Sequence, residues 1–324
     1  MGNFIFALTI IVIGLLFGRG LRVLLDKGTI PSPKKMHQIL KGCTMAALLG
    51  VNPLIILGAF WYVQLDDIRL TLIPILGGLT LILGGAFALW AAKLYKLNRG
   101  QTGSMFASGT FTNLGSFGAL FCFVFLGEES LVFVAMFRLF EDLLYYTVAF
   151  PIAQSYGEKK EPVKPQSRFK KIITNPFIMI TFSCILIGGL LNLSAWERPA
   201  VYGDLNSLLV PLFTILLVVP TGFNMRITAV KGFLKESFTI SAIKFVVVPV
   251  IIVLLAVLFN LHEIHDGMVL KVLILLAAMP PGFTSLVPPQ LFKLDMDLAN
   301  SSWLINTVML IFVLPILYFI VVYL

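Results

Sequence analysis

The sequence predicts an all-α integral membrane protein: ten transmembrane helices arranged as two inverted five-helix repeats, with broken crossover helices 4 and 9. Three observations lead there. The 324-residue chain is 58% hydrophobic and 12% charged, about half the charged fraction of a soluble domain. Apolar runs of about 20 residues, the length that spans a bilayer, recur along it. The polar connections between those runs alternate between basic and acidic.

Hydropathy and breakers place spans near 4–25, 36–62, 70–94, 103–126, 129–152, 174–193, 204–225, 236–260, 267–291 and 298–323. The first run has its charges, Arg19 and Arg22, after the apolar stretch, so it reads as a helix rather than a cleaved signal. Trp61, Tyr62, Trp90, Tyr95, Trp196, Tyr202 and Tyr323 fall near expected span ends, as an interfacial belt does. Cys43, Cys122 and Cys184 lie scattered in apolar segments and form neither a disulfide framework nor a metal spacing.

The first, third, fifth and seventh connections are basic; the second, fourth and eighth are acidic, the sixth holds Glu197, Arg198 and Asp204, and only the ninth is weakly patterned. The positive-inside rule therefore puts the odd connections in the cytoplasm and both termini on the outer side of the plasma (inner) membrane. The net charge of +8 is explained by orientation, and nucleic-acid binding is not needed. The fifth connection, with six basic residues and Pro162 and Pro165, is the longest polar segment. It divides the chain into a first repeat at 1–155, a basic cytoplasmic linker at 156–173 and a second repeat at 174–324. Five is odd, so the halves run oppositely through the membrane, as in many secondary transporters. Pro53 to Gly115 and Pro220 to Gly282 are both 62 residues apart.

The stretch LLAAMPPGFTSLVPPQLF (275–292) holds Pro280, Pro281, Pro288 and Pro289 around Gly282, Thr284 and Ser285; its counterpart in the first half is GTFTNLGSFG, with Asn113 and Gly115. Irregular backbone inside a bilayer is tolerated only where protein or water covers it. Broken helices meeting near the midplane expose free N–H and C=O groups to a substrate or ion.

These stretches, with TNPFIM (174–179) and the closing segment through LPIL, resemble the auxin efflux carrier family, which includes plant PIN-type exporters and bacterial malate- and malonate-type permeases. The resemblance covers essentially the whole chain in span count and order. It implies elevator-type alternating access, with spans 1, 2, 6 and 7 as scaffold and spans 3–5 and 8–10 as the mobile unit. It places Asn113 on the family's crossover Asn and Pro281 on its crossover Pro, with Ser285 shortly after. Where family members often have Pro in span 4, this chain has Gly115 and Gly118, and it adds Pro288 and Pro289. The substrate site expected is thus Asn113, Gly115, Pro281, Gly282, Thr284 and Ser285.

Ionisable groups inside spans are candidates for function. Arg138 and Asp142 share a helix face at i,i+4, with Glu141 adjacent: either a structural ion pair, or a carboxylate attractor with a proton-carrying acid. Lys271 and Lys244 read as snorkelling lysines or as further cations for an anionic substrate. His262, Glu263, His265 and Asp266 lack the spacing of a zinc motif, and no metal or cofactor is expected.

The reading is a secondary active transporter of small organic anions, with the bilayer, a carboxylate, a coupling H+ or Na+ and optionally a second copy of the chain as partners. One alternative is a sodium-coupled symporter of the bile acid type, which shares the architecture; another is a channel or receptor-like protein. No nucleotide-binding loop and no catalytic constellation is present, so an enzyme is not expected.

Overall fold

The computed structural model describes residues 2–29, 32–64, 66–157, 176–225 and 232–324. Residues 158–173 of the expected linker, the start of the sixth expected span at 174–175, and Arg226 and Lys231 of the seventh connection lie outside them. The described chain is helical apart from turns and one isolated β-bridge. Among the described residues six helices are long and apolar enough to cross a membrane: Phe4–Asp26, Pro33–Tyr62, Ile68–Leu94, Val201–Asn224, Leu234–Leu258 and Met296–Tyr323. Shorter apolar helices run over Leu114–Leu126, Ile178–Asn192 and Met268–Ala277.

The interruptions follow from the sequence. Arg99–Thr110 opens with a capping box between Asn98 and Gln101. It ends at Phe111, whose backbone turns extended. Met268–Ala277 stops before Pro280 and Pro281, which cannot continue a helix. Pro288 and Pro289 behave differently. They sit in the first turn of the short Val287–Phe292 helix, where a missing N–H costs nothing.

Three other prolines widen helices instead of breaking them. The π-turns Ala47–Val51, Tyr145–Ala149 and Ile243–Val247 each end one residue before a helix whose first turn carries Pro53, Pro151 or Pro249. The residue just before each proline donates five residues back, to the carbonyl of Ala47, Tyr145 or Ile243. A proline has no N–H to give, and the extra residue per turn accommodates the lost i→i−4 bond.

The chain divides into two compact units. The first is Met1–Gln64, Gly115–Val132 and Asn175–Met225. Its helices meet at glycines: Gly18 lies against the Val219 carbonyl, Gly222 against the Leu15 backbone, and Gly188 against the Leu57 carbonyl. Without a hydrophobic drive between helices in lipid, such close backbone packing is what holds them together. A polar clasp closes one end. Arg198 takes both carboxylate oxygens of Glu128, Asn206 Nδ2 donates to Glu128 Oε1 at 2.6 Å, and the guanidinium lies 4.2 Å over the Tyr62 ring. Burial pushes the Glu128 carboxyl up, but the hydrogen bonds from Arg198 and Asn206 outweigh it and hold the group below the usual carboxylate range.

The second unit is Leu65–Leu114, Phe133–Thr174 and Arg226–Leu324. Leu72–Leu94 packs on Arg99–Thr110 through Gly84, Gly85 and Gly109. Leu234–Ala242 packs on Met296–Tyr323, where Ser237 and Ser301 hydroxyls meet at 2.9 Å. The resemblance to the auxin efflux carriers would group all of spans 3–5 together, yet residues 115–132 belong to the first unit, because the Ala119–Leu126 helix packs against Gly2–Asp26 and Val201–Asn224.

Candidate functional site

In the second unit the two interrupted segments pair. Thr112 and Pro281 form an antiparallel bridge, with Asn113 N–H donating to the Pro280 carbonyl at 2.9 Å and Gly282 N–H to the Phe111 carbonyl at 3.1 Å. Two short extended strands thus satisfy each other's backbone groups where water is absent. Gly282 fits this approach because a side chain there would press on the Thr112 carbonyl and Thr284 Oγ1.

Two of the π-turns aim polar side chains at Thr112. Tyr145, which opens one turn, accepts the Thr112 N–H through its hydroxyl at 3.0 Å. Lys244, in another, donates from Nζ to Thr112 Oγ1 at 2.6 Å. Tyr145 is held by stacking on Phe111, ring centroids 4.3 Å apart, within a core of Leu81, Phe106 and Ala149. Lys244 is fully buried.

In the same unit several buried polar atoms have no hydrogen-bond partner: Thr110 Oγ1 and Ser285 Oγ on the two bridged segments, and Ser302 Oγ, Trp303 Nε1 and Asn306 Oδ1 on the Met296–Tyr323 helix. Such groups are costly when unpaired, and each is a point where a polar ligand or water would repay its own desolvation. An apolar cavity of about 150 Å³ lies beside Thr110, lined also by Leu81, Phe106, Leu144 and Ala149.

Of the expected site residues, Asn113, Pro281 and Gly282 are buried at the bridge, and Ser285 is buried with a free hydroxyl. Thr284 is exposed. Gly115 is half-buried in the π-turn Leu114–Gly118 and belongs to the first unit. In the charged trio, Arg138 takes the i,i+3 acid of the two that the spacing offered. The helix is interrupted at 138–140, so Arg138 pairs with Glu141, Nε to Oε2 at 2.7 Å, and Asp142 is exposed. Lys271 is half-buried in the first turn of Met268–Ala277, about 9 Å along the axis from the end that meets the crossover. Glu263 is taken by Arg69 at 3.0 Å and the His265 ring rests on Phe133. Thr112, Tyr145 and Trp303 were not singled out by the sequence. Tyr145 and Trp303 did carry one signal, as polar-tipped aromatics inside apolar segments.

The model of the membrane transport protein family, the family of the auxin efflux carriers, matches residues 53–318. That span includes both interrupted segments and every residue at the bridge. A comparison with curated proteins finds no match.

Proposed function

The chain belongs to the membrane transport protein family, and from that premise we propose that it is a secondary active transporter of small organic anions in the plasma membrane. The observation that carries the reading is the paired crossover, Thr112 against Pro281, with Thr110 Oγ1 and Ser285 Oγ on the bridged segments buried and without a protein partner. Ser285 Oγ and Trp303 Nε1 are hydrogen-bond donors suited to a carboxylate, and the small apolar cavity beside Thr110 suits the body of a small organic acid.

The architecture that goes with this reading is ten spans in two inverted repeats, 1–155 and 174–324, joined by a cytoplasmic linker, with both termini outside. Alternating access is of the elevator type, in which the unit carrying the crossover shifts against a scaffold. Asn113, Gly115, Pro281, Gly282, Thr284 and Ser285 are the substrate residues, and Asp142 is the acid free to carry a coupling proton. The reading assigns no enzymatic step and no cofactor.

A proteoliposome screen of small carboxylates under imposed sodium, proton and voltage gradients tests it. Saturable, gradient-driven uptake of at least one carboxylate is expected. Passive, non-saturable flux with resolvable single-channel currents would make the protein a channel.

A further inference from the structure

Lys244 is a fully buried charged group that the transport reading leaves without a task. It lies ten residues into the apolar Leu234–Leu258 stretch, about 15 Å from the nearer end, too deep for its ammonium to snorkel to an interface. It is covered by protein on all sides. A buried, unpaired charge at this depth is expensive, so its surroundings must supply compensation.

That compensation is not a carboxylate. Among the described residues no acid lies within ion-pair distance of Lys244. The Leu72–Leu94 helix packed against its turn carries one charge, Lys93, at the far end. The adjoining helices carry Lys235 and Glu236 at their other end, and Glu141 is held by Arg138. The hydrogen-bond partner of Lys244 stands at a helix terminus. Thr112, which accepts from Nζ, stands two residues past the end of Arg99–Thr110, and a methyl on Gly84, whose backbone abuts the Gly109 carbonyl, would lie 3.5 Å from Nζ. The last turn of a helix has carbonyls without intrahelical partners and a partial negative charge of about half an electron. In transporters built from broken helices, such half-helix C-termini and unwound carbonyls hold the coupling cation.

We propose that Lys244 is a tethered cation: its ammonium fills the cation position at the C-terminal end of the first half of the interrupted span. Binding at the crossover then needs no sodium ion, which sets this chain apart from a sodium-coupled symporter. The coupling consequence rests on the transport reading, whereas the occupancy of the site does not.

Thermal unfolding of the purified protein in sodium, methylammonium or choline chloride at equal ionic strength tests the occupancy without any transport assay. The wild type should unfold at the same temperature in all three salts. Lys244→Ala should unfold earlier in choline, and methylammonium should restore at least half of the lost temperature, because it replaces the deleted ammonium. Lys244→Met, which keeps bulk without charge, should also unfold earlier and gain nothing from methylammonium. A wild type stabilised by sodium over choline would overturn the proposal, and that measurement needs no variant to fold. So would an alanine variant indifferent to methylammonium, or a methionine variant as stable as the wild type. If the wild type transported no carboxylate, the transport reading would fail while these unfolding data still decided the role of Lys244.

Discussion

Replacing Tyr145 with Phe removes the hydroxyl that receives the Thr112 amide at the centre of the crossover. The Thr112 N–H donates to the Tyr145 hydroxyl at 3.0 Å, and the two residues are 2% and 5% exposed. Phenylalanine keeps the ring, its stacking on Phe111 and its place in the Leu81–Phe106 core. What disappears is the acceptor for a buried amide that has no water to turn to. Leaving such a group unpaired costs about 1–3 kcal/mol, which is roughly a 5- to 150-fold change in the unfolding equilibrium at 1.4 kcal/mol per tenfold. Equilibrium unfolding in mixed micelles, followed by tryptophan fluorescence, measures it. Tyr323→Phe, at a position 80% exposed, is the control and should unfold with the wild type. If Tyr145→Phe also unfolded at the wild-type midpoint, the Thr112 amide would not depend on Tyr145, and the clamp around the bridge would be wrong.

Three other outcomes follow from the same structure. Gly84→Ala sets a methyl against the Gly109 carbonyl, backbone against backbone; thermal unfolding should show a loss of about 1–3 kcal/mol, while Gly42→Ala, which meets open space, should cost nothing. Glu128 is held below the usual carboxylate range, so the stabilisation it gives is present at neutral pH and is lost as pH falls through its folded value; unfolding profiles of wild type and Glu128→Gln should converge on the acid side, and parallel profiles would remove the charge from the clasp. Arg138→Ala strands the Glu141 carboxylate and should destabilise by at least about 2.5–3.5 kcal/mol, whereas Arg138→Leu with Glu141→Leu should recover most of that loss; a double variant that folds but cannot accumulate substrate would make the pair part of coupling.

The helical segments were legible in the sequence because a bilayer leaves the backbone few choices. Hydropathy alone located the six long helices. The breaks at 111–113 and 278–282 were legible too, from prolines and glycines embedded in apolar runs. The four prolines of 280–289 nevertheless divide into two roles that composition does not separate: Pro280 and Pro281 break a helix, while Pro288 and Pro289 start one. The interruption at 138–140 was missed, since MFRLFED holds neither proline nor glycine. Of the two acids that the spacing offered Arg138, the structure pairs it with Glu141. The clamp on Thr112 was out of reach for another reason. Its partners are 33 and 132 residues away in sequence, and nothing local ties a threonine to a distant tyrosine and lysine. Lys244 drew attention by being charged in an apolar span, but its partner could not be named. The same holds for Glu128, whose partners Arg198 and Asn206 are 70 and 78 residues distant.

Substrate binding at the crossover is the centre of the account, and direct binding of a radiolabelled carboxylate chosen from the uptake screen tests it most closely. Scintillation proximity on purified protein gives Kd for wild type, Asn113→Ala and Ser285→Ala, with thermal unfolding confirming that each variant is folded. The account predicts that both variants weaken binding at least about tenfold, equivalent to about 1.4 kcal/mol, since each removes a group placed beside the Thr112–Pro281 bridge. An unchanged Kd in both folded variants would contradict it and put the substrate elsewhere in the protein.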